Sequence, residues 1–325
     1  MFGYNKILLA GGILFFCGVS CSMKDQSSIT ALVSAFSRAY HSRYDQPKVF
    51  DDSVAAQLIT AEEFDQIKKT MIQGITFFNK DIANQLTNQP DEILKWITQV
   101  QLSPTPLARA AFCEQILFHE MDLGTTQYVI LGAGLDTFCF RHPEVSHSLQ
   151  VFEVDHPATQ ALKKKRLIDA HLAIPDHLHF VAMDFTHDIS NQKLVDQGFE
   201  NKRTFFSLLG VSYYLSKEEN AQLIKNLFDL VPSGSSIVFD YADETLFETK
   251  RRSNRVENMV KMAAGSGEPM KSCFSFTELE RLLENAGLLV YEHLSPDDIN
   301  KRYYNERQDY LSAFETIHYI HAVKR

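Results

Sequence analysis

The residues of this chain best suited to chemistry lie at a glycine-rich turn. Gly132, Ala133 and Gly134 follow an apolar, β-branched run at residues 128–131, and such a run predicts a short buried strand. Glycine lets the backbone turn sharply and approach a ligand without a Cβ in the way. A strand that ends in such a turn is typical of a nucleotide-binding corner.

The residues after the turn indicate which nucleotide is bound. Asp136 and Thr137 are good N-cap residues, so we expect a helix to begin there, with its N–H groups facing the ligand. A dinucleotide-binding motif would have glycine or alanine where this chain has Thr137. An adenosine without phosphates needs no pyrophosphate site. The corner therefore favours S-adenosylmethionine over NAD.

Two acidic residues end the next predicted strand, at residues 150–154. In nucleotide-binding folds, an acid about 20 residues after the glycines accepts the ribose hydroxyls. Asp155 lies 23 residues after Gly132. Glu153 is two positions earlier, so both carboxylates could point to the same face of the sheet. The alternative for Asp155 is that it caps the helix that follows Pro157.

Several stretches together resemble the leucine carboxyl methyltransferase family. They are residues 129–141 (Val-Ile-Leu-Gly-Ala-Gly-Leu-Asp-Thr-Phe-Cys-Phe-Arg), 152–157 (Phe-Glu-Val-Asp-His-Pro), the segment 37–52, and the later Gly-Glu-Pro at 267–269. The resemblance runs from about residue 27 to the C terminus. It implies an S-adenosylmethionine-dependent O-methyltransferase with a Rossmann-like fold, and it says little about the methyl acceptor.

The resemblance also implies roles for individual side chains. Arg109 matches the arginine that holds the methionine carboxylate of the cofactor, a pairing that suits a guanidinium. Asp155 matches the ribose ligand. Asp184 matches the acid that accepts the adenine amino group, and Phe185 would pack on the adenine ring. Leu209 stands where eukaryotic members carry a cofactor-contacting glutamate, so substrate equivalence with them is not implied.

The order of predicted elements indicates one α/β domain, a doubly wound sheet of seven strands. Residues 23–120 read as a helical N-terminal extension that covers the site, and residues 121–325 as the cofactor-binding core. A charged insertion at residues 244–274 is interpreted as a lid. The strands are expected at residues 128–131, 150–154, 179–182, 203–209, 236–241, 288–291 and 316–323.

The composition narrows the possible partners. The net charge of −9 argues against nucleic-acid binding, which normally shows a basic surface. The cysteines at positions 17, 21, 113, 139 and 273 show no zinc-ligand spacing, so no metal site is predicted. The expected partner is a small-molecule or peptide methyl acceptor.

Residues 1–22 leave the location of the protein open. Lys6 and the apolar run that follows it have the build of a signal peptide, and Cys21 loosely matches a lipoprotein cleavage site. The preferred interpretation is that translation starts at Met23 and that the enzyme is cytoplasmic. The alternatives are a lipoprotein anchored in the membrane through Cys21 and a structural helix.

No catalytic base can be assigned from the sequence. Of twelve histidines, His41 lies in the most informative context, but it has no evident catalytic partner. Tyr213 and Tyr214 are candidates to line the pocket near the methyl group, where aromatic faces attract the sulfonium. A carboxylate acceptor is already ionised at neutral pH and would need no base. Two other functions stay open at this point, an NAD(P)-dependent oxidoreductase and a lipid-anchored binding protein.

Overall fold

The computed structural model describes residues 29–186, 190–248 and 253–325. Residues 1–28, including Cys21 and Met23, lie outside the described residues, as do residues 249–252 of the charged insertion. Among the described residues, no helix combines the length and apolar character needed to cross a membrane. In the same part of the chain, no group of three or more histidine, cysteine or acidic side chains is placed to hold a metal ion.

A single sheet organises the described chain, and it confirms the predicted fold. Its strands are β1 (Gln127–Leu131), β2 (Gln150–Asp155), β3 (Leu178–Ala182), β4 (Thr204–Leu208), β5 (Ser236–Ala242), β6 (Leu288–Leu294) and β7 (Ile317–Lys324). The seven strands lie in the order β3-β2-β1-β4-β5-β7-β6. The first five are parallel, whereas β7 runs antiparallel between β5 and β6. The chain reverses its winding at β1 and β4, and ligands bind beside such a point.

The apolar runs form strands because both faces of the sheet are covered. In β1, Tyr128 and Ile130 pack into one core, while Val129 and Leu131 pack into the core on the opposite face. All five residues of β1 are buried. A continuous apolar run, rather than an alternating one, is what a parallel strand covered on both faces requires.

Thirteen helices are resolved in the described residues around this sheet. They are α1 (Ile29–Tyr44), α2 (Ala61–Gln73), α3 (Ile75–Phe78), α4 (Lys80–Gln85), α5 (Pro90–Ile97), α6 (Pro104–Asp122), α7 (Phe138–Arg141), α8 (Pro157–Asp169), α9 (Asn191–Asp196), α10 (Lys217–Phe228), α11 (Asn254–Gly265), α12 (Phe276–Asn285) and α13 (Pro296–Ile299).

The first five helices form a cover with a core of its own. This core includes Phe36, Ile67 and Phe78, and it also takes in Leu135 from the glycine corner. Helix α6 packs instead on the sheet, through residues such as Phe112. The cover thus rests directly on the turn that follows β1. Whether residues 23–120 fold as a unit of their own stays a prediction.

The insertion after β5 forms helix α11, which lies against the cover. The side-chain amides of Asn254 and Asn258 both donate to the Phe78 carbonyl, at 2.7 and 3.2 Å. The Gln101 amide donates to the Arg255 carbonyl at 3.0 Å. These contacts hold the predicted lid on the same side of the sheet as α1.

Candidate active site

The glycine corner has the backbone shape that its sequence predicts. Gly132 and Gly134 have φ angles of +70° and +52°. A Cβ at Gly132 would collide with Val211, and a Cβ at Gly134 would lie 3.1 Å from the Ala31 Cβ on α1. The Gly132 and Ala133 amides donate to the Val154 carbonyl at 2.8 and 3.2 Å, which fixes the turn to β2. Glycine is therefore required by both conformation and space.

The helix after the corner is too short to present several N–H groups to a ligand. Helix α7 has four residues. Asp136 Oδ1 accepts a hydrogen bond from the Phe138 amide at 2.7 Å, whereas Thr137 makes no capping bond. Thr137 instead accepts from Arg141 Nε at 3.0 Å. Only one of the two expected N-cap side chains acts as one.

Asp155 and Glu153 have separate environments. The Asp155 carboxylate accepts from the Gly134 amide at 2.5 Å and from the His156 amide at 2.6 Å, and it lines the cavity beside the corner. Burial raises the pKa of Asp155. Glu153 does not line this cavity, because its carboxylate is ion-paired with Lys163 and both side chains are almost fully buried. Glu153 therefore lies outside the cavity that Asp155 lines, and its contact with the cofactor stays a prediction.

Asp184, Phe185 and Leu209 lie at the ends of their strands and line the same cavity. Asp184 Oδ1 accepts from the amide and hydroxyl of Thr186, at 2.9 and 2.6 Å, in a turn that directly follows β3. Leu209 follows β4 and presents an aliphatic side chain to the cavity. The structure thus brings these residues together with Asp155 and the glycine corner.

Arg109 on α6 also lines this cavity. Its Nη1 donates to Asp240 Oδ2 at 3.0 Å and to the Tyr213 hydroxyl at 3.1 Å. Burial alone would lower the pKa of Arg109, but the Asp240 carboxylate raises it above its usual value, so the guanidinium stays charged. Its Nε and Nη2 make no hydrogen bond with any described residue. They are donors available to an anionic ligand.

Gly210 lets this guanidinium approach the end of β4. Its φ angle is +74°, and its amide donates to Asp240 Oδ1 at 2.6 Å. A Cβ at this position would lie 2.5 Å from two of the Arg109 nitrogens. Asp240 thus holds both the backbone and the arginine. The sequence did not single out Asp240, because its partners lie 30 and 131 residues away.

A second set of charges joins the cover to the corner. Arg38 on α1 donates to Asp52 at 2.8 Å and to the Leu135 carbonyl at 2.8 Å. Although burial alone would raise it, the Arg38 and Arg141 guanidinium groups hold the pKa of Asp52 below its usual range. All three charged side chains line the cavity. The 37–52 motif therefore contributes to the wall of the site as well as to its cover.

His41, the histidine in the most informative sequence context, is held by hydrogen bonds within the cover. It is fully buried on α1, with Nδ1 2.7 Å from Asp45 Oδ2. Its Nε2 accepts from the Val49 amide at 2.9 Å. Both ring nitrogens are therefore used within the cover, and His41 does not line the cavity.

Glu268 from the Gly-Glu-Pro segment meets α1 at the mouth of the site. Its carboxylate accepts a short hydrogen bond from the Thr30 hydroxyl, and it lines the cavity beside Tyr214. Burial raises the pKa of the Tyr214 hydroxyl above its usual range, and the neighbouring Glu268 charge acts in the same direction. Lid and cover thus meet directly above the carboxyl end of β4.

The site consists of two adjoining cavities. The first, of about 440 Å³, extends from the glycine corner to Asp184 and to Glu268. The second, of about 130 Å³, lies between α1, α6 and α11. Thr30, Arg109, Gly210 and Tyr214 line both. A molecule in one cavity would therefore lie beside a molecule in the other.

Comparison with known proteins identifies the kind of enzyme that carries this site. Residues 31–228, more than half of the chain, match the family described as leucine carboxyl methyltransferase. The chain belongs to this family. A Bacillus subtilis (strain 168) protein, named as a candidate S-adenosyl-L-methionine-dependent methyltransferase, YktD, is 68% identical over 93% of this chain and 99% of its own length.

More distant relatives agree with this assignment. A Mycolicibacterium smegmatis protein with the same kind of name is 28% identical over 65% of either chain. The crystal structure of a DUF574 family protein from Streptomyces avermitilis superposes with a TM-score of 0.53, at 13% identity, over 90% of this chain and 97% of that one. At this low identity, the similarity to the Streptomyces avermitilis structure concerns the fold alone.

Family membership decides between the functions that the sequence left open. This chain, as a member of the family, is an S-adenosylmethionine-dependent methyltransferase. The predicted family and cofactor are confirmed. The two alternatives, an NAD(P)-dependent oxidoreductase and a non-enzymatic binding protein, are set aside.

Proposed function

We propose that this methyltransferase acts on an oxygen atom of a small molecule or peptide. The family description names a carboxyl group as acceptor, which supports oxygen as the nucleophile. The observation that carries most weight is the arrangement of Arg109, whose open donors lie on the wall shared by the two cavities. The first cavity is large enough for the cofactor. The second adjoins it at Arg109, where the methyl group would be transferred to the acceptor.

The first cavity has features that fit S-adenosylmethionine. Gly132 and Gly134 remove the Cβ atoms that would crowd a ligand at the corner. Asp155, oriented by two backbone amides, is suited to the ribose hydroxyls. Asp184 and Phe185 are suited to the amino group and the face of the adenine. The charged Arg109, with two unused nitrogens, is suited to the methionine carboxylate.

The residues would catalyse the reaction mainly by positioning. The bound cofactor supplies an electrophilic methyl group on its sulfonium. Arg109, Asp155 and Asp184 would fix the two ends of the cofactor, so that the methyl faces the junction of the cavities. Tyr214 and the lid would exclude water there. Such orientation can contribute about 7–11 kcal/mol to lowering a barrier.

Methyl transfer to oxygen can be tested with isotopically labelled cofactor. The enzyme would be incubated with S-adenosylmethionine carrying a ¹³C-methyl group and with mixtures of small acids, alcohols and peptides. We expect labelled products whose ¹³C resonance falls in the O-methyl range, well separated from N-methyl and S-methyl carbons. Label found only on nitrogen or sulfur would contradict the proposal. A crystal soaked with S-adenosylhomocysteine would locate the sulfur relative to Arg109 and Tyr214.

We also infer a cytoplasmic location for the enzyme, because S-adenosylmethionine is made and kept in the cytosol. This inference requires that residues 1–22 are not an export signal. An anchored form would carry a processed, lipid-modified Cys21, which mass spectrometry of the native protein would detect.

A further inference from the structure

The second cavity differs in chemistry from the first. Its wall is mainly apolar and includes the thioethers of Met259, Met262 and Met270 together with Leu102 and Phe314. Flexible methionine side chains adapt to varied apolar ligands. The titratable side chains that line it, among the described residues, are Arg109 and two tyrosines. The cavity is therefore suited to an uncharged apolar group.

The size of this cavity limits what it can hold. Apolar cavities of about 150 Å³ accommodate a benzene molecule. The second cavity has a volume of about 130 Å³ and continues into the junction lined by Tyr214 and Gly210. A single six-membered ring fits these dimensions, with a polar substituent directed into the junction.

The charges at the junction disfavour an anionic acceptor. Arg109 is the cation there, and it already faces the buried carboxylate of Asp240. By the proposed function, its remaining donors hold the cofactor carboxylate. Glu268 adds a further negative charge beside Tyr214. The other arginines that line the first cavity, Arg38 and Arg141, are ion-paired with Asp52 and Glu114. A carboxylate acceptor would therefore have no unpaired cation to compensate it, whereas a neutral hydroxyl would find a proton acceptor in Glu268.

We infer that the second cavity binds the ring of a small neutral phenol and that Glu268 takes the proton of its hydroxyl. This inference rests on the proposed function, which it narrows to one class of acceptor. The phenol oxygen forms a bond to the methyl carbon as the sulfur–methyl bond breaks, and that electron pair stays on sulfur as a neutral thioether. The hydroxyl proton passes to the Glu268 carboxylate and then to solvent through the mouth of the site.

Three matched probes distinguish this inference from the proposed function. The enzyme would be assayed with 4-methylphenol, 4-methylbenzoate and 4-methylaniline by mass spectrometry of the products. We expect the phenol to be methylated at least about tenfold faster than the benzoate. A preference for the benzoate would overturn the inference and leave O-methylation standing. Methylation of the aniline alone would contradict O-methylation. If none of the three is methylated or binds, the cavity is not a site for a ring.

Filling the cavity tests where the ring binds. Ala263 on α11 lines the second cavity and is buried, whereas the adjacent Ala264 is exposed. Ala263→Leu should raise KM for 4-methylphenol by about tenfold or more, since the added carbons occupy ring space. S-adenosylhomocysteine affinity should stay unchanged. Ala264→Leu is the matched control and should alter neither value. An unchanged KM in Ala263→Leu would overturn the assignment of the cavity.

Substitution of the base tests the proton transfer. Glu268→Gln should lower kcat for 4-methylphenol by about 100-fold, within the usual range for loss of a general base. The same variant should lose far less with 4-nitrophenol, which gives up its proton more readily. Thr30→Val removes the hydroxyl that donates to Glu268 but keeps the carboxylate, so its effect should be smaller. Equal losses on both phenols in Glu268→Gln would show that Glu268 only holds the lid.

Discussion

Arg109 is ion-paired with Asp240, and by the proposed function it also binds the carboxylate of the cofactor. Its Nη1 is held by Asp240 and Tyr213, and the side chain lines both cavities. Removing it altogether would leave Asp240 charged and fully buried, which typically costs about 3–5 kcal/mol of stability. Lysine keeps the charge but cannot present parallel donors. Arg109→Lys is therefore the informative substitution.

We expect Arg109→Lys to raise KM for S-adenosylmethionine by about tenfold or more, while kcat falls less, because the contact is made equally in ground and transition states. Methylthioadenosine, which lacks the carboxylate, should bind wild type and variant equally. Arg281→Lys on the exposed face of α12 is a control. If methylthioadenosine binding weakens as much as S-adenosylmethionine binding, Arg109 only supports the fold.

Asp184 forms a turn that is suited to recognise adenine. Asp184→Ala should weaken S-adenosylhomocysteine binding by about 1–3 kcal/mol, the range for leaving a buried polar partner unpaired. Titration calorimetry would measure the affinity, and a melting curve would establish that the variant is folded. Asp176→Ala removes an exposed carboxylate shortly before β3 and should have no effect. Unchanged affinity in a folded Asp184→Ala protein would remove Asp184 from the site.

His321 on β7 makes the protein sensitive to acid. Burial lowers its pKa to about 4, and its Nε2 lacks a hydrogen-bond partner among the described residues. Glu120 lies 3.5 Å away but is already paired with Arg203. The unfolded chain therefore binds this proton more readily, with a pKa near its ordinary value of about 6.5, and stability falls as the pH drops from there toward 4.

The size of this effect can be measured by denaturant unfolding. Between about pH 7 and pH 5, His321 should account for a loss on the order of 2 kcal/mol in the free energy of unfolding. His321→Gln should flatten this part of the pH profile, whatever its effect at neutral pH. His147→Gln, at an exposed position, should keep the wild-type slope. An unaltered slope in His321→Gln would contradict the assignment.

At the scale of elements, side-chain hydrogen bonds join the lid to the cover. Helix α11 is tied to α3 through Asn254 and Asn258, which share one carbonyl of Phe78. Asn258 is buried, so its amide has no access to water as a substitute. A hydrogen bond of this kind contributes about 0.5–1.5 kcal/mol. The position of the lid thus depends on a contact that one substitution can weaken.

Asn258→Ala should speed hydrogen exchange in α11 by up to about tenfold, the equivalent of the bond energy given above. KM for the acceptor should rise, while S-adenosylhomocysteine affinity changes little, because the first cavity rests mainly on the sheet. Asn285→Ala, at the exposed end of α12, should change neither. If exchange in α11 stays at the wild-type rate, these amides do not hold the lid.

At the scale of the whole molecule, the match to the methyltransferase family begins at residue 31. A chain that starts at Met23 keeps all of this match, so it should fold and bind S-adenosylhomocysteine with the affinity of the full-length protein. It should also be more soluble, since it lacks the apolar run at residues 7–19. Calorimetry and sedimentation on both forms would test this. Weaker binding by the shortened chain would show that the first 22 residues take part in the site.

The strands and the glycine corner could be predicted because their determinants are local. The conformation of the strand Gln127–Leu131 follows from its own apolar run, and that of the turn follows from the glycines after it. The direction of β7 could not be predicted, because residues 317–324 have the pattern of a strand whether they pair in a parallel or an antiparallel way. Asp240 was missed since its partner Arg109 lies 131 residues away, and the contact of Arg38 with the corner was missed since Leu135 lies 97 residues away. The second cavity was invisible for the same reason, as its lining comes from distant parts of the chain, such as Thr30, Arg109 and Met262.

The tight packing of Gly210 against Arg109 has a consequence for how this enzyme can diverge. Any side chain at position 210 would occupy the space of the guanidinium, and the left-handed backbone there already disfavours one. A lineage that replaced the glycine would have to displace the arginine, and one that lost the arginine would be free to replace the glycine. The two positions should therefore change together among descendants of this protein, and a paired replacement would mark a copy that has abandoned the cofactor contact proposed for Arg109.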